Sequence, residues 1–165
     1  MNDYVVNFYP SEDIREEMED VFNKEKAVLE GLLPNVIIEH VGSSAIPGAL
    51  SKKDLDIQIR VLPHQFQDVL AIMNSNFLQK HPHLWTDDFA IFKSHEYQAP
   101  LDYMITVIDS KKDDFHKVRD FFKNHPEFLA EYNELKRAYE GKMYSEYRKA
   151  KTEFLGGNGT VRFLN

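Results

Sequence analysis

The sequence predicts an α+β domain: a mixed β-sheet with an N-terminal helix before it and a C-terminal helical layer over it. Three observations carry that expectation. A long apolar series at helical spacing opens the chain. Short β-branched or alternating runs fill its middle. Its last third is amphipathic and holds no strand-like run. No repeat, long linker or low-complexity block interrupts the 165 residues, so one domain spanning 1–165 is expected.

The elements follow in order. Pro10-Ser11 opens a helix, with Ser11 suited to the N-cap and Glu12 and Asp13 to the positive end of the dipole. Ile14, Met18, Val21, Phe22, Val28, Leu29 and Leu32 keep helical spacing until Pro34. Val36 to Val41 is short and β-branched and reads as a strand. Gly42 to Lys53 is a loop. Leu55, Ile57, Ile59 and Val61 alternate and define a second strand, and Phe66, Val69, Leu70 and Met73 a second helix. Phe77 to Asp88 reads as irregular. Phe89 to Phe92 and Leu101 to Ile108 read as strands joined by the polar stretch Lys93 to Pro100. Helices then carry Phe115, Val118, Phe121 and Phe122; Phe128 to Tyr139 after His125-Pro126; and Ser145 to Leu155. The glycine-bearing tail, Gly156 to Asn165, is expected to be loose.

Composition narrows the function classes. Hydrophobic residues at 42% and aromatics at 13% describe a chain that builds a core. No apolar run approaches the roughly 18 residues that span a bilayer, so no membrane association is expected. No secretion signal is read at the start, and the absence of cysteine excludes disulfides and thiolate metal sites; a cytoplasmic setting is expected. The formal charge of −7 disfavours nonspecific duplex nucleic acid. A small anionic ligand remains compatible, because a cation can neutralise it locally.

The chemistry centres on His40-Val41-Gly42-Ser43-Ser44 and Asp54-Leu55-Asp56. Nucleotidyl transfer needs a close backbone approach to phosphates, which glycine permits, and hydroxyl or amide donors such as Ser43 and Ser44. It also needs carboxylates for a hard cation, Mg²⁺ or Mn²⁺. Residues i and i+2 of a strand share a face, so Asp54 and Asp56 can hold a metal between them. Asp102, opening the later strand, is the candidate third carboxylate and the candidate acceptor of a proton. Two ions about 4 Å apart would then orient an attacking hydroxyl and the leaving pyrophosphate. Each element alone has a plainer reading: Asp-x-Asp as a solvated strand start, Gly-Ser as a turn. Their combination is the more specific signal.

The stretch Ile38-Glu39-His40-Val41-Gly42-Ser43-Ser44-Ala45-Ile46-Pro47-Gly48 resembles the GrpB signature. So do His125 to Lys136 and Tyr147 to Phe154, and together they run in the expected order over most of the chain. The resemblance implies a nucleotidyltransferase-like fold and a cytoplasmic bacterial or archaeal-type protein. Lys151 resembles a lysine typical of the family and is a phosphate-binding candidate, set against a solvated helix lysine. Two departures matter. Many GrpB-like sequences carry Lys-Pro-apolar-apolar-Asp where this chain has Lys52-Lys53-Asp54-Leu55-Asp56, and many place histidines where it has Leu101-Asp102-Tyr103. Both departures favour three carboxylates.

The other polar features weigh as structural. His40 is expected to brace the loop, His81-Pro82-His83 to lie on a surface loop, and the basic C-terminal residues to be mainly solvated. The expected function is metal-dependent transfer of a nucleoside monophosphate from a nucleoside triphosphate to a small-molecule or protein acceptor. The alternative is a non-catalytic nucleotide- or ligand-binding module of the same fold.

Overall fold

A computed structural model describes residues 3–94 and 100–156. Seven strands and five helices, besides three short 3₁₀ turns, make up the described chain. In order they are β1 (Tyr9–Pro10), α1 (Ser11–Leu32), β2 (Ile37–Val41), β3 (Leu50–Ser51), β4 (Leu55–Val61), α2 (Phe66–Asn76), β5 (Leu78–Lys80), β6 (Phe89–Lys93), β7 (Leu101–Val107), α3 (Phe115–Asn124), α4 (Pro126–Tyr139) and α5 (Tyr144–Phe154).

Five strands form the main sheet in the order β2-β4-β7-β6-β5. β4 and β7 run parallel; every other neighbouring pair is antiparallel. The sheet is therefore mixed, and the fold is α+β as the sequence predicts. The parallel pair is the hub, because its register sets Asp56 directly beside Asp102, Gln58 beside Met104 and Arg60 beside Thr106.

Alternation along β4 divides the sheet into two faces. Leu55, Ile57, Ile59 and Val61 point to one, joined by Leu101, Tyr103, Ile105 and Val107 of β7. Ile14, Met18 and Leu29 of α1 and Phe66, Val69 and Met73 of α2 close over them as the main core. Burying side chains of this size stabilises by roughly 1.5–3 kcal/mol each. One polar pair lies within this region, the Tyr103 hydroxyl donating to the Glu25 carboxylate.

The second face carries Asp56, Gln58, Arg60, Asp102, Met104 and Thr106. The C-terminal helices cover part of it. Phe115 of α3 packs on Val41, Phe89 and Met104. Phe122, Leu129 and Tyr132 of α3 and α4 pack on Ile46 and Ala49 of the loop after β2. The helical layer thus grips the loop that leads from β2 to β4.

Three departures from the sequence reading have local causes. Ser11 is not the N-cap: Pro10 holds that position, and Ser11 is the first helical residue. Its N–H donates to Ala49 O at 2.8 Å and its hydroxyl to Ile46 O at 2.8 Å, so tertiary partners replace the capping bond. Residues 77–88 are not wholly irregular, because Leu78–Lys80 adds an edge strand to β6. The loop after β2 contains β3, which pairs with β1. The stretch 95–99, within the polar connection before β7, and all of the expected loose tail except Gly156 lie outside the described residues.

Candidate active site

The turn after β2 comes first. Gly42 has φ +76°, a conformation favouring glycine, and leads into a single 3₁₀ turn, Ser43–Ala45. A Cβ at Gly42 would collide with the Asp56 carboxylate and come within 3.1 Å of its Cγ. Glycine here therefore does two things: it allows the turn, and it lets the backbone lie against Asp56.

The rest of the loop is held from both sides. Glu12 of α1 accepts from Gly48 N at 2.6 Å. From α4, Asn133 accepts from Leu50 N at 2.9 Å and donates to Gly48 O at 2.8 Å. Lys136 donates to Leu50 O at 2.6 Å. These bonds fix the path that delivers Lys52 and Asp54 to the start of β4.

The loop, the start of β4 and the helical layer enclose a cleft of about 560 Å³. Gly42, Ser43, Asp54 and Asp56 line one side; Lys136, Arg148 and Lys151 line it from α4 and α5. Its apolar wall includes Phe89, Phe115 and Phe122. Acids and bases share a mostly apolar chamber, where charge interactions are stronger than in open water.

The electrostatics single out Asp56. Burial pushes its pKa up, and the neighbouring Asp54 and Asp102 carboxylates push it further, to about 7; Lys151 and Lys52 pull the other way. Among the described residues Asp56 makes no ion pair within 4.0 Å. Asp54 has Lys52 Nζ 3.4 Å from its Oδ2. Burial works against the Lys52 charge, but Asp54, followed by Tyr144 and Tyr4, holds its pKa above the ordinary lysine value. The Tyr144 ring lies 4.5 Å from the Lys52 ammonium. Lys136, only 2% exposed, is pushed down to about 7, first by burial and then by Lys151.

The structure gathers Gly42, Ser43, Asp54, Asp56 and Lys151 at the cleft and treats two other candidates differently. Ser44 does not line it. The inward side of the 3₁₀ turn buries Ser44 to 6% exposure, and its hydroxyl hydrogen-bonds His40 Nε2 at 2.9 Å. In this structure Ser44 braces the loop together with His40 rather than lining the cleft. Burial, then Arg119 and Lys123, lower the His40 pKa to about 4, so it is neutral at pH 7.

Asp102 lies beside Asp56 on the same face, as the three-acid expectation requires, but it does not line the cleft. Its Oδ2 is engaged by Lys80 Nζ at 2.5 Å. Among the described residues no group of three or more His, Cys, Asp or Glu is arranged to hold a metal ion. The donor chemistry still fits a hard divalent cation at Asp54 and Asp56, since Asp56 is crowded by like charge that a cation would relieve.

Sequence reasoning missed Lys80, because residues 77–88 gave no strand signal. It read Lys136 and Arg148 mainly as part of a solvated basic face, with a phosphate-facing subset as the lesser reading. The spacing of Arg148, Lys151 and Thr152, at i, i+3 and i+4, was the available signal that one side of α5 turns to the cleft.

The GrpB protein family matches residues 12–157, and the chain belongs to that family. A UPF0157 protein of Vibrio cholerae is 28% identical over 151 residues, covering 91% of this chain and 80% of that protein. The crystal structure of the conserved protein GrpB from Enterococcus faecalis superposes with a TM-score of 0.62 at 17% identity, over 82% of this chain and 81% of that one. A looser match is the Cid1 poly(U) polymerase with MgGTP bound, at a TM-score of 0.49 and 15% identity, over 78% of this chain and 42% of that one.

Proposed function

We propose that this chain is a metal-dependent nucleotidyltransferase, moving a nucleoside monophosphate from a nucleoside triphosphate to a small-molecule or protein acceptor. The observation that carries the proposal is that Asp54 and Asp56, the Gly42–Ser43 turn, Arg148 and Lys151 line one cleft.

Asp54 and Asp56 would hold Mg²⁺ or Mn²⁺, which when bound supplies positive charge to the triphosphate. Gly42 and Ser43 bring backbone and hydroxyl close to the phosphates. Lys151 and Arg148 attract the same anion, and the aromatic wall accepts the base. In the transfer, an acceptor oxygen forms a bond to the α-phosphorus. The bond from that phosphorus to the bridging oxygen breaks, pyrophosphate leaves, and the acceptor proton passes to water.

One observation favours a second reading, a nucleotide-binding module without turnover. Asp102 is held by Lys80 rather than facing the cleft. The two readings separate on one assay. Thermal shift with Mg²⁺ and a panel of nucleoside triphosphates should raise Tm under both. Release of pyrophosphate when candidate acceptors are added should occur only under the first. No shift with any metal–triphosphate pair would defeat both.

A further inference from the structure

Lys80 enters the site from a distance. It ends β5 at the sheet edge, level with Ile91 of β6, whereas Asp102 sits on β7 level with Lys93. On the β6 side, the direct cross-strand neighbour of Asp102 is therefore Lys93, whose side chain is exposed. Lys80 instead reaches over β6 to place its ammonium 2.5 Å from Asp102 Oδ2. Both side chains are largely covered, at 25% and 21% exposure.

The position of Lys80 is built rather than incidental. Trp85 packs its ring on Phe92 of β6 and donates its indole N–H to Lys80 O at 3.1 Å. His81 follows with φ +46°, turning the chain away immediately after Lys80. The strand end, the indole bond and the turn together fix where the lysine stem starts.

We propose that Lys80 withholds Asp102 from the metal site, leaving Asp54 and Asp56 as the carboxylates for a single divalent cation. The inference rests on the metal reading above. An ammonium within hydrogen-bond distance engages one Asp102 carboxylate oxygen and offsets its single negative charge, which weakens the pull of that carboxylate on a divalent cation. With Asp102 paired to Lys80, Asp54 and Asp56 are the two carboxylates left at the cleft, as many as a Mg²⁺ or Mn²⁺ that takes its other ligands from water and phosphate needs. Lys80 is thus a positioning residue that sets how many ions the acids take.

The test is Mn²⁺ titration of the full chain, followed by the electron paramagnetic resonance signal of the free ion. Wild type, Lys80→Met, Lys80→Arg, Asp102→Asn and Asp56→Asn would be compared, each first checked for folding by circular dichroism. Wild type should bind one Mn²⁺. Asp56→Asn should lose it, whereas Asp102→Asn should change its affinity less than about threefold. Lys80→Met should gain a second ion or bind the first about tenfold tighter or more, the scale on which residues next to metal ligands act. Lys80→Arg, which keeps the ion pair, should behave as wild type and serves if the methionine variant does not fold.

Two ions in wild type, loss of binding in Asp102→Asn, or unchanged binding in folded Lys80→Met would each overturn the role of Lys80 while leaving the metal reading intact. Absence of Mn²⁺ binding in every variant would overturn the metal reading, and this inference with it.

Discussion

Two aspartates on the same side of the sheet, Asp56 and Asp113, have opposite surroundings. Asp113 follows β7 and is fully buried. Arg60 donates to both its oxygens at 2.8 Å, and Gln58, Thr106 and Asp109 N add bonds of 3.1, 3.1 and 2.9 Å. Burial would raise its pKa, but these donors outweigh burial and hold it below the ordinary value. Asp56 has the reverse balance: burial and two neighbouring carboxylates carry it to about 7. A buried charge whose donors are complete is a structural part. A charge crowded by its own kind at the edge of a cleft is a candidate for binding something cationic.

The comparison is broken most severely at the structural end. Asp113→Ala strips Arg60 of its bidentate partner, leaving it Glu39 at 3.5 Å, and removes the acceptor of the Asp109 N–H. Urea denaturation should show a loss of about 3–5 kcal/mol, the range for removing one partner of a buried pair. Mn²⁺ binding by the remaining folded fraction should persist. A loss below about 1 kcal/mol would show that water replaces the carboxylate and that the contrast is overstated.

Gly42→Ala comes next. A side chain there meets both an unfavourable φ and the Asp56 carboxylate. The expected cost is about 1–3 kcal/mol, read by thermal or urea unfolding, together with weakened metal binding because Asp56 must move. A variant of wild-type stability and wild-type Mn²⁺ affinity would show that the close approach has no role.

Asp56→Asn should act in the opposite direction on stability. A carboxyl whose folded pKa is raised from 3.8 to about 7 binds more protons folded than unfolded between those values. Stability of the metal-free wild type should therefore fall as pH rises from about 4 to about 7 on account of this group. The asparagine variant should lack that fall and be the more stable protein at pH 8, by as much as about 4 kcal/mol, since the shift spans about three pKa units at about 1.4 kcal/mol each. Melting curves at pH 5 and pH 8 measure it. A variant less stable at both values would make Asp56 a structural residue.

The sequence made some of this legible and hid the rest for identifiable reasons. β4 is readable because its apolar residues alternate, and β7 because it is a short, nearly continuous apolar run, buried on both faces. Asp54, Asp56 and Gly42 are readable because their spacing is local. Lys80 is not, because β5 has three residues, of which Leu78 and Gln79 are exposed and show no alternation to detect. Its contact with Asp102 depends on sheet order, which no local pattern encodes. Ser44 looked equivalent to Ser43, but a single 3₁₀ turn sends one serine to the cleft and buries the other. The Asp113 network escaped notice because its members come from β4, β7 and the turn after β7 and have no common spacing.

The claim that Asp56 serves a ligand and Asp113 serves the fold is tested most directly by isothermal titration of Mn²⁺ with a non-hydrolysable triphosphate. Wild type, Asp56→Asn and Asp113→Asn would be compared under conditions where all three are folded. The account predicts that Asp56→Asn abolishes metal-dependent triphosphate binding while Asp113→Asn retains it at close to wild-type affinity despite a lower Tm. Equal binding by wild type and Asp56→Asn would contradict it.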